Sequence, residues 1–205
     1  MGFYEKRVLP RIINFACGMT TLHAYRERAC ADLEGRVVEV GFGSGLNIPF
    51  YPDTVAHVTA VEPGDGGWRL AHKRVVGTRV PISRADIDAA RLPFEDDSFD
   101  SALSTWTLCT IPDVEGALAE VRRVLKPGGT LHFIEHGLSP ETTIARKQHR
   151  FNGLQKKLFG GCHLDRPIAD LITGAGFTIK ELDNFYEKGA PKFMAYDYLG
   201  VAVSD

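Results

Sequence analysis

From Tyr4 to Met19 the apolar residues Val8, Leu9, Ile12, Ile13, Phe15 and Ala16 recur at roughly helical spacing. Pro10 predicts a bend or break in that helix. A second helix is predicted over Leu22–Leu33, ending before Gly35. The pattern then alternates. Short β-branched or apolar runs predict strands at Arg36–Val40, His57–Val61, Arg79–Ser83, Asp100–Ser104 and Thr130–Glu135. Between them lie helical patterns: a short stretch with Pro49 and Pro52, then Trp68–Val76, then Val114–Leu125. Such alternation predicts a parallel sheet with helices on both faces, and the wholly apolar strands fit burial on both sides. Phe177–Leu182 and Phe193–Val203 have no helix between them and predict an antiparallel pair at a sheet edge. That ending departs from a plain dinucleotide-binding fold. The segment Ser139–Arg166 is basic, aromatic and too long for a simple connection, so it is expected to cap a site.

The 205 residues suit one domain, with residues 1–34 as an N-terminal helical lid and 139–166 as a substrate-cap insertion. The 44% apolar and 24% charged fractions are those of a globular protein. A net charge of −2, spread along the chain, offers no basic stripe, so no nucleic-acid partner is expected. Cys17, Cys30, Cys109 and Cys162 stand far apart without a C-x-x-C pair, so no metal site is expected and the setting reads as reducing and cytoplasmic. No apolar stretch is long enough to span a bilayer. Met1-Gly2 could open a myristoylation signal, but Lys6 stands where Ser or Thr is needed.

The densest motif is Glu39-Val40-Gly41-Phe42-Gly43-Ser44-Gly45, between a strand and a helix. Glycines there let the backbone turn sharply and approach a ligand. In an open parallel sheet that is the ligand-binding edge. Leu46 holds the position of the third dinucleotide-fingerprint glycine, which weakens a pyrophosphate reading. Glu62, about 20 residues on at a strand end, can accept from both ribose hydroxyls. Asp86 and Asp88 follow the third strand. Asp88 with Ala89 is preferred to face an adenine edge, with helix capping by Asp86 as the alternative.

With Leu92-Pro93-Phe94-Glu95-Asp96-Asp97-Ser98-Phe99-Asp100 and Leu125-Lys126-Pro127-Gly128-Gly129, these blocks resemble the class I S-adenosylmethionine-dependent methyltransferases. The subgroup is that of the ubiquinone and menaquinone biosynthesis enzymes. A closer resemblance, to the methyltransferase-like thiol methyltransferases, rests on Tyr4…Val8-Leu9-Pro10, Gly45-Leu46-Asn47 with Tyr51-Pro52, and Thr105…Leu108-Cys109. It rests also on Glu135-His136, Gly161-Cys162-His163-Leu164-Asp165-Arg166 and Tyr198-Leu199-Gly200-Val201-Ala202. Phe42 departs from the small residue common there, and the apolar anchor of the animal members is missing. The resemblance implies an α/β fold, a Rossmann-like, doubly wound, mostly parallel seven-stranded sheet with an antiparallel last strand. It implies S-adenosyl-L-methionine as cofactor. Gly41, Gly43 and Gly45 would line its methionine and ribose part and Glu62 would take the ribose, with Glu39, Asn47 and Pro63 also among the cofactor-binding residues. Asp88 and Ala89 would face the adenine, with Thr105 and Leu108 beneath the methionine chain.

Methyl transfer from a sulfonium needs alignment more than special residues. A thiol acceptor, with a pKa of about 8.5, needs only a nearby imidazole to become thiolate. His136, at the end of the fifth strand, is the first candidate base, with a cap-holding role as the alternative. Glu135 beside it would either orient the imidazole or bind a group behind it, and His163 is the second candidate. Trp106 is either pocket wall or core, and His132 is structural. Arg146, Lys147, His149, Arg150, Lys156 and Lys157 form either a solvated helix face or an attraction for an anionic acceptor or a membrane surface, while Phe151, Leu154, Leu158 and Phe159 are suited to cover an apolar pocket. The expected partner is a small, rather apolar methyl acceptor. A thiol is favoured over a phenol, a quinone precursor or a phospholipid head group. An NAD-dependent reductase and a non-catalytic S-adenosylmethionine-binding protein are the competing readings, and the oligomeric state is open.

Overall fold

The computed structural model describes residues 4–204, so the Met1-Gly2 reading lies outside the described residues. Seven strands form one sheet: β1 (Gly35–Val40), β2 (Val55–Val61), β3 (Ile82–Ala85), β4 (Phe99–Thr105), β5 (Leu125–His136), β6 (Phe177–Tyr186) and β7 (Tyr196–Ser204). Their order is β3-β2-β1-β4-β5-β7-β6. β1 to β5 run parallel, and β7 is antiparallel to both β5 and β6. The α/β class and the antiparallel last strand are as the resemblance implies. The order reverses between β1 and β4, which opens a crevice at the carboxyl ends of the strands.

The described residues form six α-helices: α1 (Leu9–Cys17), α2 (His23–Cys30), α3 (Asp65–Gly77), α4 (Val114–Val124), α5 (Thr142–Leu158) and α6 (Ile168–Gly174). Pro10 does not break α1. It sits in the first turn, where a missing N–H costs nothing, after a π-type turn over Tyr4–Val8. The stretch around Pro49 is a single 3₁₀ turn, Ile48–Phe50. β3 starts later than expected, after Pro81, which has no N–H for the ladder. The last strand begins at Tyr196, not Phe193, because Lys192–Met194 closes a 3₁₀ turn behind Pro191.

Successive side chains along a strand point to opposite faces, and the core follows that rule. Val38, Ala102 and Phe133 enter one cluster with Leu118 of α4 and Ile172 of α6. Their neighbours Val37, Leu103 and Ile134 enter the other with Ala29 of α2 and Ala71 of α3. Asp113 caps α4, its Oδ1 accepting from Gly116 N–H at 3.0 Å. Asp113→Ala is expected to cost about 1 kcal/mol, and thermal denaturation should show a melting point lower by about 2–4 °C.

Candidate functional site

β1 delivers the chain into a loop in which Gly41, Gly43 and Gly45 hold φ of +70°, +56° and +71°. A Cβ on Gly41 would stand 2.2 Å from Thr107, so the loop is pressed onto the chain leaving β4. A Cβ on Gly43 would meet nothing closer than 3.8 Å. Its backbone therefore faces open space, a cleft of about 450 Å³ lined by Gly43, Ser44, Glu62, Pro63 and, from α1, Leu9 and Ile13. Glu62 follows β2, and its carboxylate accepts from Gly43 N–H at 2.7 Å and Gly64 N–H at 2.6 Å. Burial raises its pKa, and those two donors offset part of the rise. Asp88 is exposed and accepts from Ala90 N–H at 3.0 Å, while Ala89 is buried. Asp86 lies 3.6 Å from the Arg84 guanidinium.

Behind the glycine loop lies a buried polar network. Asn47 donates to Glu39 and to Thr105 Oγ1, both at 2.9 Å, and Tyr51 donates to the other Glu39 oxygen. Arg26, from α2, donates to Asn47 Oδ1 at 2.5 Å and to the Cys17 carbonyl at 2.9 Å. It also lies over the Trp106 ring, 4.7 Å from the centroid. Burial pushes Glu39 up to about 7, against the pull of Tyr51, Asn47 and Arg26. The Nε of Arg26 is buried without a partner among the described residues. Leu108 is buried in the core, its carbonyl accepting from Arg166.

A second cavity of about 220 Å³ opens at the ends of β4 and β5. It is walled by Ile12, Ile13 and Cys17 of the first helix, Trp106, Cys109 and His136 after the strands, and Gln155, Phe159 and Cys162 from the 139–166 segment. Ile13 borders both cavities. Trp106 is thus a wall, and it keeps that place at φ +50°, a strained value for a side chain of its size. Of the four apolar residues expected to cover the cavity, Phe159 does so, with Gln155 beside it, whereas Phe151, Leu154 and Leu158 do not line it and are exposed. The basic residues of α5 lie on its exposed side.

His136 is held differently from the expectation. Its Nε2 lies 3.6 Å from Asp197 Oδ1, and its Nδ1 lies 3.9 Å from Cys162 Sγ. Asp197 stands directly opposite it on β7. Glu135 does not orient the ring. It accepts from Ser104 Oγ at 2.7 Å, Thr107 N–H at 3.0 Å and Cys109 N–H at 3.2 Å, and so anchors the chain after β4. Burial alone would lower the His136 pKa; Asp197 and then Cys162 outweigh it and push it up to about 9. Burial pushes Asp197 up to about 7, against the pull of His136. The imidazole is therefore a cation at neutral pH. His163 meets the Cys109 carbonyl at 3.0 Å, and His132 is buried within β5 and pushed down to about 4. Raised folded-state values bind protons that the unfolded chain has released. His136 thus adds stability below its unfolded value of 6.5, and that stability is lost as pH rises through about 9. Urea titrations from pH 6.5 to 9 should show stability falling, with a shallower fall in His136→Gln.

Side-chain donor atoms of Cys109, His136 and Cys162 lie within 4.8 Å of one another, as do those of His136, Glu187 and Asp197. Sequence spacing hid both groups, because their members are far apart in the chain. Arg26 and Asp197 were missed as well. Asp197 had a signal: it is an acid between two tyrosines in an otherwise apolar strand. Arg26 had none beyond lying on a helix.

A family model described as a methyltransferase domain matches residues 38–133. The phosphatidylethanolamine N-methyltransferase of Cereibacter sphaeroides is 30% identical over 162 residues, 77% of this chain and 78% of that one. The chain belongs to the S-adenosylmethionine-dependent methyltransferases. Thiol S-methyltransferase TMT1B of Rattus norvegicus is 32% identical over 154 residues, 73% of this chain and 63% of that one. The chain thus spans less than two thirds of the length of that relative. A solved SAM-dependent methyltransferase of Thermotoga maritima, described as a possible histamine N-methyltransferase, shares the fold. Its TM-score is 0.70 at 24% identity, over 98% of each chain. Membership of this family sets aside the NAD-dependent reductase. Among the described residues, no helix of the chain is long and apolar enough to cross a membrane.

Proposed function

We propose that the chain transfers the methyl group of S-adenosylmethionine to a small, apolar acceptor, and that the acceptor is a thiol. The observation that carries this reading is His136. Its ring lies between Asp197 and Cys162, at 3.6 and 3.9 Å, and lines an apolar chamber that shares Ile13 with the glycine-loop cleft. The residues fit the cofactor. Gly43 leaves open space where a Cβ would point, and Glu62 offers a carboxylate for ribose hydroxyls. The unpartnered N–H of the buried Arg26 guanidinium suits a carboxylate such as the cofactor's amino-acid end carries. In this reading Gly41, Gly45 and Pro63 shape the cleft. Glu39, Asn47 and Thr105 hold Arg26, and Asp88 and Ala89 lie at the adenine end. Leu108 packs beneath, and His163 supports the Cys109 carbonyl.

When bound, the cofactor supplies an electrophilic methyl group whose leaving group is a neutral thioether. The chain has two tasks. The apolar walls align the acceptor and exclude water, and the His136 imidazolium holds the acceptor sulfur as thiolate. The acceptor's proton goes to the His136–Asp197 pair. Residues of α1 border both cavities, so closure of the N-terminal helices over the reaction is part of the proposal, as is the 139–166 segment acting as the cap. The exposed basic face of α5, beside Leu154 and Leu158, supports weak association with an anionic membrane surface. Similarity to the phosphatidylethanolamine enzyme favours an amine head group as the second acceptor class.

The test is product formation from S-adenosylmethionine with an alkyl thiol, an aryl thiol, a catechol, a quinol and phosphatidylethanolamine. Methylated thiol supports the proposal, and methylation of another class alone replaces the thiol. Cofactor binding without methylation of any acceptor would favour a non-catalytic binding protein. Glu62→Ala should weaken cofactor binding by calorimetry about 10-fold or more, the loss of a charge-assisted hydrogen bond.

A further inference from the structure

Cys162 Sγ lies 3.6 Å from Cys109 Sγ and 3.9 Å from His136 Nδ1. The two cysteine backbones are tied together, since His163 N–H donates to the Cys109 carbonyl at 2.8 Å. Both thiols are buried, yet both line the 220 Å³ chamber, which a small molecule can enter. Methyl transfer as derived above uses neither sulfur. The remaining cysteines differ. Burial raises both Cys17 and Cys30, and Cys30 is packed in the core with no exposure. The Cys109 hydrogen bond and the His136 imidazolium pull Cys162 below the ordinary thiol range in spite of its burial, while Cys109 is raised. In that state the Cys109 S–H donates to the Cys162 thiolate.

We propose that Cys162 is an oxidation site at which its thiolate attacks hydrogen peroxide and Cys109 converts the product into a Cys109–Cys162 disulfide. The Cys162 sulfur bonds to one peroxide oxygen and the O–O bond breaks. The departing hydroxide takes the His136 proton and leaves as water. Cys109 sulfur then attacks the sulfenic sulfur, the S–S bond forms and the S–O bond breaks. The second hydroxide leaves as water with the Cys109 proton. Both sulfurs are oxidised, one peroxide is reduced, and two waters result. The sulfurs must close from 3.6 Å to about 2.05 Å, which side-chain rotation at adjacent backbones can supply. The disulfide removes the thiolate beside His136. Its effect on methylation rests on the proposed function, whereas its formation does not.

The experiment exposes the full chain to hydrogen peroxide, then alkylates free thiols in denaturant and maps the peptides by mass. A cross-linked Cys109–Cys162 peptide that dithiothreitol releases, with Cys17 and Cys30 alkylated as before, is the expected result. Cys109→Ser should stop at a Cys162 sulfenic acid that dimedone captures. In Cys162→Ser, oxidation of Cys109 should be slower by about tenfold or more, since the reactive thiolate is gone. Melting curves of the two variants show whether each is folded, and the wild-type peptide map decides the matter if one is not. Pairing of Cys162 with Cys17, or thiols unchanged at exposures that oxidise free cysteine, would overturn the proposal. So would one zinc ion per isolated chain shielding Cys109, His136 and Cys162 from peroxide.

Discussion

Replacing His136 by alanine should cut kcat/KM for a thiol acceptor about 10²-fold or more at pH 7, while cofactor affinity changes little. The argument rests on which charge the acceptor needs. A small thiol is mostly protonated at neutral pH, and the reaction needs the thiolate. With His136 up at about 9 and Asp197 at about 7, the pair meets the acceptor as imidazolium and carboxylate in a narrow window above neutrality. Below about 7 Asp197 is protonated and the pair accepts no further proton. Above about 9 the imidazolium is lost, and with it the charge that holds the thiolate. Wild-type kcat/KM should therefore be bell-shaped, with limbs near 7 and 9. In His136→Ala the bell should give way to a single rise with the free acceptor's ionisation at about 8.5. Rates from pH 6 to 10 check this. A variant that keeps the wild-type rate and both limbs would leave His136 without a part in the chemistry.

The sheet was legible because its central strands β1 and β2 are largely apolar, α4 has a clear helical period, and the terminal strand pair lacks a helix. The errors lie where proline chemistry competes with periodicity. Pro10 starts a helix that it was expected to break, and Pro191 delays the last strand to Tyr196. The glycine loop and Glu62 were legible since both depend on local sequence. Glycines take positive φ, and a carboxylate ends the adjacent strand.

The acceptor end was half legible. His136 could be placed at a strand end, but its partner could not, because the register of β7 on β5 decides that Asp197 and not Glu135 faces the ring. The thiol pair is likewise a product of topology, since Cys109 and Cys162 are 53 residues apart and meet only when the 139–166 segment folds back on the end of β4. The polar network under the glycine loop shows the same limit. Glu39, Asn47 and Thr105 were singled out as cofactor residues, and each makes its hydrogen bonds within the protein. Asn47 joins Glu39 to Thr105, and Arg26, which residue spacing does not reveal, donates to Asn47 and Thr105.

Arg26→Leu should be the most destabilising of the single changes considered, and it should weaken cofactor binding at the same time. The guanidinium is 3% exposed and bonded to Asn47 and the Cys17 carbonyl, and it is packed on Trp106. Burial lowers its pKa from 12.5, with Cys17 and Glu39 opposing, but an arginine remains a cation there. Leucine would remove the charge that offsets the buried Glu39 carboxylate, leave the Asn47 and Cys17 oxygens without this donor, and strip the cation from the Trp106 face. Removing one partner of a buried charged set costs about 3–5 kcal/mol, which for a chain of this length lowers the melting point by about 6–20 °C. Part of the loss should be recovered by Arg26→Leu with Glu39→Gln, because the second change removes the orphaned charge. Glu39 already titrates near 7, so the single variant should recover stability as pH falls from about 7 toward 4.5 and the carboxyl takes up a proton. Thermal denaturation of the single and double variants at pH 5 and pH 8 reads both effects. Equal losses at the two pH values would mean that Arg26 acts through packing on Trp106 and not through charge.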